Sequence, residues 1–441
     1  MPVMIEYLLM HIFNRSGSYR MVIFFERMYI MKTSTVKGMN DYLPAEADLR
    51  DYLQSTIMRV YKENGFNRII TPIIEDIENL EKSDGGENLN LMFKILKRGD
   101  KLSKAISGQN FDDLADMGLR YDLTLPLSRY FANNRSKIMM PFKCIQIDRA
   151  YRAERPQKGR LRELTQCDID IIGSSSYDCE IELIDVTAKA LLEIGLSDFK
   201  IRISDRRILK ELLLSFGFSE DEVSGVCISF DKISTIKAEG VEAELRGKEF
   251  SSVGVDKFVS FLKTLPVGIE DISALLPGNA AIDELKRVIT SVEEVCGGRY
   301  SIEFDISLVR GQGYYTGTVF EIESNEFNSS IAGGGRYDNL IGKFINETIP
   351  AVGFSIGFER IFYILQERGY RIPSAKRKIA FLYDDFLVGY KKAEEFRGEY
   401  DVELFEKPSK IGKFLGKLER FGYYGYVVDG GEVRVLSGGD S

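Results

Sequence analysis

The 441-residue chain holds a single histidine, His11, and this count excludes both a histidine-rich metal site and a serine–histidine triad. Its five cysteines, Cys144, Cys167, Cys179, Cys227 and Cys296, form no CxxC pair, whereas a secreted disulfide framework uses a denser, even-numbered set. They read as buried thiols of a reducing, cytoplasmic setting. No apolar run reaches the roughly eighteen residues of a membrane-spanning helix, so no membrane partner is expected. Internal repeats and low-complexity segments are also missing. A net charge of −8 provides no basic coat for nonspecific DNA binding, although local basic patches can still hold a folded RNA.

What is present has the balance of a soluble globular protein. Hydrophobic residues make up 44% and charged residues 29%, which argues against disorder, collagen or coiled coil. At about 150 residues per domain, the length suggests two or three domains. Residues 1–31 carry methionines at 1, 4, 10, 21, 28 and 31, and their stretch MVIFFERMYIM is interrupted by Glu26 and Arg27. A signal peptide needs a cleaner apolar centre. The segment is expected to be a dispensable extension or an early start, with an ordinary surface helix as the alternative.

Residues 32–205 mix helices with short apolar strands, and residues 206–299 read as helical, with Gly297 and Gly298 ending AIDELKRVITSVEEVC. Strands return over 300–370 in YSIEFDISLVRG, TGTVFEIE and SIAGGGRYDNL, so the pattern reads as one sheet split by a helical insertion. Residues 371–441 hold the linker-like YRIPSAKRK and then alternating strand and helix signals, as in a small α/β unit.

Two stretches point to chemistry. In LQSTIMRVYKENGFNRIITPIIE, Leu53, Ile57, Val60 and Tyr61 fall at helical spacing and Gly65 can close the helix. Ile69 to Ile74 then read as a strand broken by Pro72, which implies an edge or an interface; plain helix–strand packing fits the same residues. In RAYRAERPQKGRLRELTQCDIDIIG, Arg149, Arg152, Arg155, Lys158, Arg160 and Arg162 lie within fourteen residues around a Pro-Gln-Lys-Gly turn. Guanidinium groups grip phosphate oxygens with paired, charge-assisted hydrogen bonds, so this hairpin suits a polyphosphate. A solvated basic loop is the alternative.

The hairpin resembles motif 2 of class II aminoacyl-tRNA synthetases, and TIMRVYKENGFNRIITPIIE is similar to their dimer-forming motif 1. AVGFSIGFERI, with Arg360, resembles motif 3. LVRGQGYYTGTVFE and SIAGGGRYDNL resemble stretches peculiar to histidyl-tRNA synthetases, and with LRYDLTLPLSRY and KGMNDYLP the likeness spans about residues 35–365. It implies an α+β fold: an antiparallel sheet flanked by helices, its catalytic domain in two parts (32–205 and 300–370), a helical insertion (206–299) and a C-terminal α/β anticodon-binding-like domain after the linker (371–441). The implied reaction joins histidine to its tRNA through histidyl-adenylate, in a homodimer.

The resemblance also implies roles. Arg152 would hold the α-phosphate of ATP, Glu154 the adenine side and Arg360 the γ-phosphate, with Mg2+ screening the phosphates and no dedicated protein ligands for it. Asp122, Thr124 and Gln166 would take the α-ammonium of histidine, with Leu123 between the first two also at the site. Asp170 and Tyr315 would address the imidazole, Tyr314 and Tyr337 would wall the pocket, and Gly333, Gly334 and Gly335 would allow close approach of the backbone. Without the likeness, the tyrosines could be simple strand packing and the glycines a bulge. Arg310 and Arg152 would be the catalytic pair: the histidine carboxylate is already nucleophilic, so positive charge rather than a base is needed as α-phosphate charge builds. In isolation Arg310 could pair with a core acid such as Glu303.

Where the family usually reads Arg-Gly-Leu-Asp-Tyr-Tyr, this chain has Arg310-Gly311-Gln312-Gly313-Tyr314-Tyr315, without the acid. Lys407, Lys410, Lys413 and Lys417, with Arg371, Lys376, Arg377 and Lys378 in the linker, could touch tRNA phosphates or simply be solvated. A second class of function remains: a silent synthetase paralogue serving as a regulatory subunit of a phosphoribosyltransferase. Such paralogues usually lose the C-terminal domain and the ATP-binding arginines, both of which this chain keeps.

Overall fold

A computed structural model describes residues 8–13, 19–24, 32–81, 91–310, 313–327, 329–373 and 375–437. Contacts divide the chain into two compact units, residues 1–364 and 365–441.

The first unit is built on an eight-stranded sheet. In chain order its parts are helix α1 (Pro44–Glu63), strands β1 (Asn67–Arg68), β2 (Phe142–Tyr151) and β3 (Glu163–Ile172), helix α2 (Asp178–Glu193), β4 (Phe199–Asp205), β5 (Ser301–Phe304), β6 (Thr318–Ser324), β7 (Ser330–Arg336), β8 (Ala351–Gly357) and helix α3 (Phe358–Glu367). The strand order is β5-β4-β6-β7-β8-β3-β2-β1. The six central strands pair antiparallel, and both edges pair parallel, β5 with β4 and β1 with β2. The expected antiparallel sheet is therefore mixed at its margins, where chain returning from a helix enters alongside rather than by a hairpin.

Helix α1 begins with Pro44 in its first turn, where the missing amide costs no hydrogen bond, and Glu46 accepts from the Leu43 amide at 2.8 Å. Leu53, Ile57, Val60 and Tyr61 form its buried stripe. Each fully buried Leu or Ile contributes roughly 1.5–3 kcal/mol, so Leu53→Ala would be the simplest way to loosen the helix from the sheet. Gly65 ends α1 at a φ of +85°. The strand expected over Ile69–Ile74 does not form: β1 stops at Arg68, and a separate strand, Ile74–Asp76, joins Ala115–Leu119 and Lys94–Leu96 in a small sheet. Pro72 cannot donate to a ladder, and the chain changes sheets around it.

The long connection from β4 to β5 is helical, running through Arg206–Phe216, Glu220–Phe230, Ile233–Arg246, Ser252–Leu262, Ile269–Leu275 and Ala280–Cys296. Asp205 caps its start by accepting from the Arg207 amide at 2.8 Å, and Gly297 ends it at a φ of +55°. Phe216, Phe218, Phe230, Phe258 and Phe261 interlock as its aromatic centre. Of residues 1–31, Leu8–Phe13 and Tyr19–Phe24 pair as an antiparallel hairpin instead of a helix, and the rest lie outside the described residues.

The second unit has four strands in the order Asp401–Glu406, Lys378–Tyr383, Gly425–Val428, Arg434–Val435, with helices Phe386–Ala393 and Ile411–Arg420. Alternation along Lys378–Tyr383 sends Ile379 and Phe381 into one core and Ala380 and Leu382 into the other.

Candidate active site

β3 sets up the site by its period of two. Cys167, Ile169 and Ile171 are buried on one face of the strand, while Gln166, Asp168 and Asp170 face a cavity of about 470 Å³ on the other. β6, β7, β8, the loop after β2, the loop before β6, Asp122 and Thr124, Asp231 of the helical connection and the start of α3 contribute the remaining walls.

One end of the cavity is cationic. Arg152, Arg160, Arg310 and Arg360 all line it. Burial pushes the Arg360 guanidinium below the ordinary arginine range; Glu321 opposes this, while Arg310, Arg160 and Arg152 add to it. Arg360 donates to the carbonyl and hydroxyl of Ser330. Arg152 is aimed by the Tyr121 carbonyl, which accepts from its Nε at 2.9 Å. Arg310 occupies the left-handed region at a φ of +58°, unusual for a side-chain-bearing residue. Its Nη1 lies 3.3 Å from Glu321 Oε2, and burial of the guanidinium is outweighed by Tyr315 and Glu321, which hold its charge.

The other end is acidic and aromatic. Asp122 accepts from the Leu125 amide at 3.2 Å, which fixes it at the N-terminus of helix Thr124–Asn134. Burial raises its pKa, against the opposing effects of that amide and Arg152. Asp170 is pushed up to about 7 by burial, with Tyr337 pulling it down and Asp122 pushing it further up. Tyr337 donates to Asp170 Oδ1 at 2.6 Å. Tyr314 meets Tyr315 edge-on at 5.0 Å and Tyr337 at 6.0 Å, giving the aromatic wall.

The glycine run makes room rather than a bulge. A Cβ on Gly333 would collide with the Arg310 guanidinium, and one on Gly335 with the Tyr315 ring and the Thr318 carbonyl. Gly334, on the opposite face, abuts the backbone of Gly353 and Phe354. Gly353 stands across from Asp170, whose carboxylate fills the space a Cβ would need.

The structure thus brings Asp122, Thr124, Arg152, Glu154, Gln166, Asp170, Arg310, Tyr314, Tyr315, Tyr337 and Arg360 to one cavity. Leu123 is different: its side chain is fully buried away from the cavity, and its carbonyl accepts from Gln146 at 2.9 Å. Arg310 does not pair with Glu303, which instead bonds Lys200 at 2.6 Å. Of the six hairpin cations only Arg152 and Arg160 line the cavity; Arg149 pairs with Glu163 at 3.0 Å, and Arg162 donates to the Glu154 carbonyl at 3.1 Å. Arg160 also pairs with the Glu154 carboxylate. Gly311 and Gln312 lie outside the described residues.

Sequence reasoning assigned no site role to Asp168, Asp231, Glu321, Ser355 or Glu359, all of which line the cavity. For Asp168 the signal was there, since alternation in QCDID puts it on the face of Gln166 and Asp170. Asp231 comes from the helical connection, and no pattern in the chain marks it. Glu359 is held by Arg50 in a two-pronged pair, 2.7 and 2.8 Å, and also accepts from the Thr165 amide at 3.0 Å. The Arg50 guanidinium lies between 4.1 and 5.1 Å from the ring centres of Tyr42, Phe358 and Phe362.

A largely antiparallel sheet whose face offers arginines for an anion beside acids and tyrosines for a small zwitterion is the arrangement implied for a class II aminoacyl-tRNA synthetase. The family model described as "Histidyl-tRNA synthetase" matches residues 38–361. The histidine--tRNA ligase of Leifsonia xyli subsp. xyli (strain CTCB07) is 42% identical over 351 residues, covering 75% of this chain and 79% of its own. The crystal structure of histidyl-tRNA synthetase from Nostoc sp. PCC 7120 matches with a TM-score of 0.73 at 27% identity, covering 90% of this chain and 91% of its own. An ATP phosphoribosyltransferase regulatory subunit/histidyl-tRNA synthetase from Bacillus halodurans C has the same TM-score, 0.73, at 21% identity over 91% of this chain and 99% of its own, a likeness of fold alone. The chain belongs to the histidyl-tRNA synthetase family.

Proposed function

We infer that this chain is a histidine–tRNA ligase, which activates L-histidine with ATP to histidyl-adenylate and pyrophosphate and then passes histidine to the 3′ end of tRNA(His). The observation that supports this most is the gathering of four guanidiniums, from the hairpin loop, the β5–β6 loop and α3, beside an acidic and aromatic slot. Four guanidiniums converging on one confined cavity suit the several oxygens of a polyanion, and the slot beside them suits a small cation-bearing ring.

In this reading Arg152 holds the α-phosphate, Arg360 the γ-phosphate of a bent ATP, and Glu154 lies on the adenine side. Asp122, Thr124 and Gln166 take the α-ammonium, Asp170 and Tyr315 address the imidazole, and Tyr314 and Tyr337 wall the ring. The substrate carboxylate attacks the α-phosphate, and Arg310 beside the nonbridging oxygens stabilises the growing charge by about 3 kcal/mol, the usual worth of such a donor. Magnesium would arrive with the nucleotide and neutralise phosphate charge; among the described residues no three His, Cys, Asp or Glu side chains are grouped as metal ligands.

A homodimer through α1 and the β1 edge fits the exposure of Ile70, Ile73 and Ile74 next to that edge. A cytoplasmic setting fits five buried free thiols. No described helix is long and apolar enough to cross a membrane. The C-terminal unit would bind the anticodon arm, and the division into 32–205, 206–299, 300–370 and 371–441 would follow these tasks.

The test is amino-acid-dependent exchange of labelled pyrophosphate into ATP with all twenty amino acids, repeated with Arg310→Ala. Exchange with histidine alone, lost in the variant, is expected. Exchange with another amino acid, or none at all, overturns the reading.

A further inference from the structure

β3 offers three polar side chains to the cavity, and the reading above, on which this inference rests, uses Gln166 and Asp170 and leaves Asp168 without a task. Asp168 is 4% exposed, and its Oδ1 has no hydrogen-bond partner. A buried carboxylate oxygen without a donor is costly, and native proteins rarely leave one.

Its surroundings show what is missing. Ser355 stands across from Asp168 on β8, and the Ser355 oxygen accepts from Gln166 Nε2 at 3.1 Å, so its own proton is given to Asp168. The charged groups facing Asp168 are Asp170, Asp122 and Arg152; burial first, then the two acids, drive its pKa well up, while Ser355 and Arg152 oppose them. Gln166 is engaged at both ends, donating to Ser355 and lying 3.5 Å from Arg152 Nη2 through its oxygen. Of the acceptors available for an ammonium group, Gln166 is thus partly occupied, while Asp168 presents an oxygen with no donor at all.

We propose that Asp168 is a specificity-determining residue of the amino-acid slot, whose free oxygen accepts an N–H from the α-ammonium of the bound substrate. The ammonium, rather than the ring, is the partner on chemical grounds. A neutral imidazole has one N–H, for which Asp170 is already placed, and a second carboxylate at its other nitrogen would set lone pair against lone pair. An ammonium has three N–H bonds and a fixed charge; with Gln166 engaged by Ser355 and Arg152, Asp122 and Thr124 take two of them and Asp168 takes the third. Its arrival also relieves the repulsion among Asp122, Asp168 and Asp170.

The experiment measures calorimetric binding of histidinol, which keeps both ammonium and imidazole, and of imidazolepropionate, which lacks the ammonium, to wild type and Asp168→Asn. The substitution should weaken histidinol about 10- to 100-fold, the worth of a charge-assisted hydrogen bond, and leave imidazolepropionate within about twofold. Equal losses for both ligands, or no loss for histidinol, overturn the assignment. Should Asp168→Asn not fold, Asp168→Ala, which removes the carboxylate and leaves Ser355 and Gln166 in place, is expected to weaken histidinol selectively, and an unselective effect counts against the idea. Failure of the wild type to bind histidinol would count against the histidine reading itself, separately from the role of Asp168.

Discussion

The guanidinium of Arg310 lies in the space that a side chain on Gly333 would take. Gly333→Ala should therefore act as a remote Arg310 variant: the added methyl meets only the far end of a flexible side chain, so the protein folds while the arginine is displaced. A fall of roughly 100-fold or more in pyrophosphate exchange with a melting temperature close to wild type is expected. An active Gly333→Ala enzyme would show that Arg310 is dispensable.

Asp170 carries a pH signature. Its carboxyl is raised by burial to about 7, so the native state holds that proton more tightly than the unfolded chain. Its contribution to stability is complete below the ordinary carboxylate range and is lost as pH rises to about 7. Asp170→Asn should then melt higher than the wild type at pH 8, with the gap closing as pH falls towards about 4, while histidine activation is lost. Melting curves across this range decide it; a pH-independent gap refutes the assignment.

Tyr337 lowers the Asp170 pKa by donating to it. Tyr337→Phe is expected to move the acid limb of the pH profile for histidine KM upward, with kcat at high pH little changed. A profile that coincides with wild type would mean the hydroxyl serves packing only.

The lysines of the second unit separate into two kinds. Lys407 is occupied by Asp384 at 2.6 Å and Asp429 at 2.9 Å, whereas Lys413 and Lys417 are exposed on helix Ile411–Arg420. Lys413→Ala and Lys417→Ala should raise the KM for tRNA and lessen its salt dependence, and Lys407→Ala should leave both unchanged. Aminoacylation assays at several salt concentrations distinguish these outcomes.

These cases show what the sequence could reveal. Period-two alternation in QCDIDIIG and the spacing of Leu53, Ile57, Val60 and Tyr61 exposed strand and helix faces directly, because each depends only on local geometry. Arg152, Arg310 and Arg360 lie far apart in the chain and were linked by resemblance alone. Which cations of a basic hairpin turn inward was beyond local pattern: Arg160 enters the cavity and Arg149 does not, as neighbours on other strands dictate. Nothing in the local pattern singles out Arg50, because its partner Glu359 is more than three hundred residues away. Glycines 333 to 335 were legible as small, but the groups they admit came from distant loops.

The pair between Arg50 and Glu359 has one more consequence. Glu359 and Arg360 are consecutive residues of α3, and both line the cavity. Both oxygens of Glu359 are held by Arg50 and the Thr165 amide, so this carboxylate is neutralised from α1 and does not stand as a free negative charge where a nucleotide's phosphates would meet it.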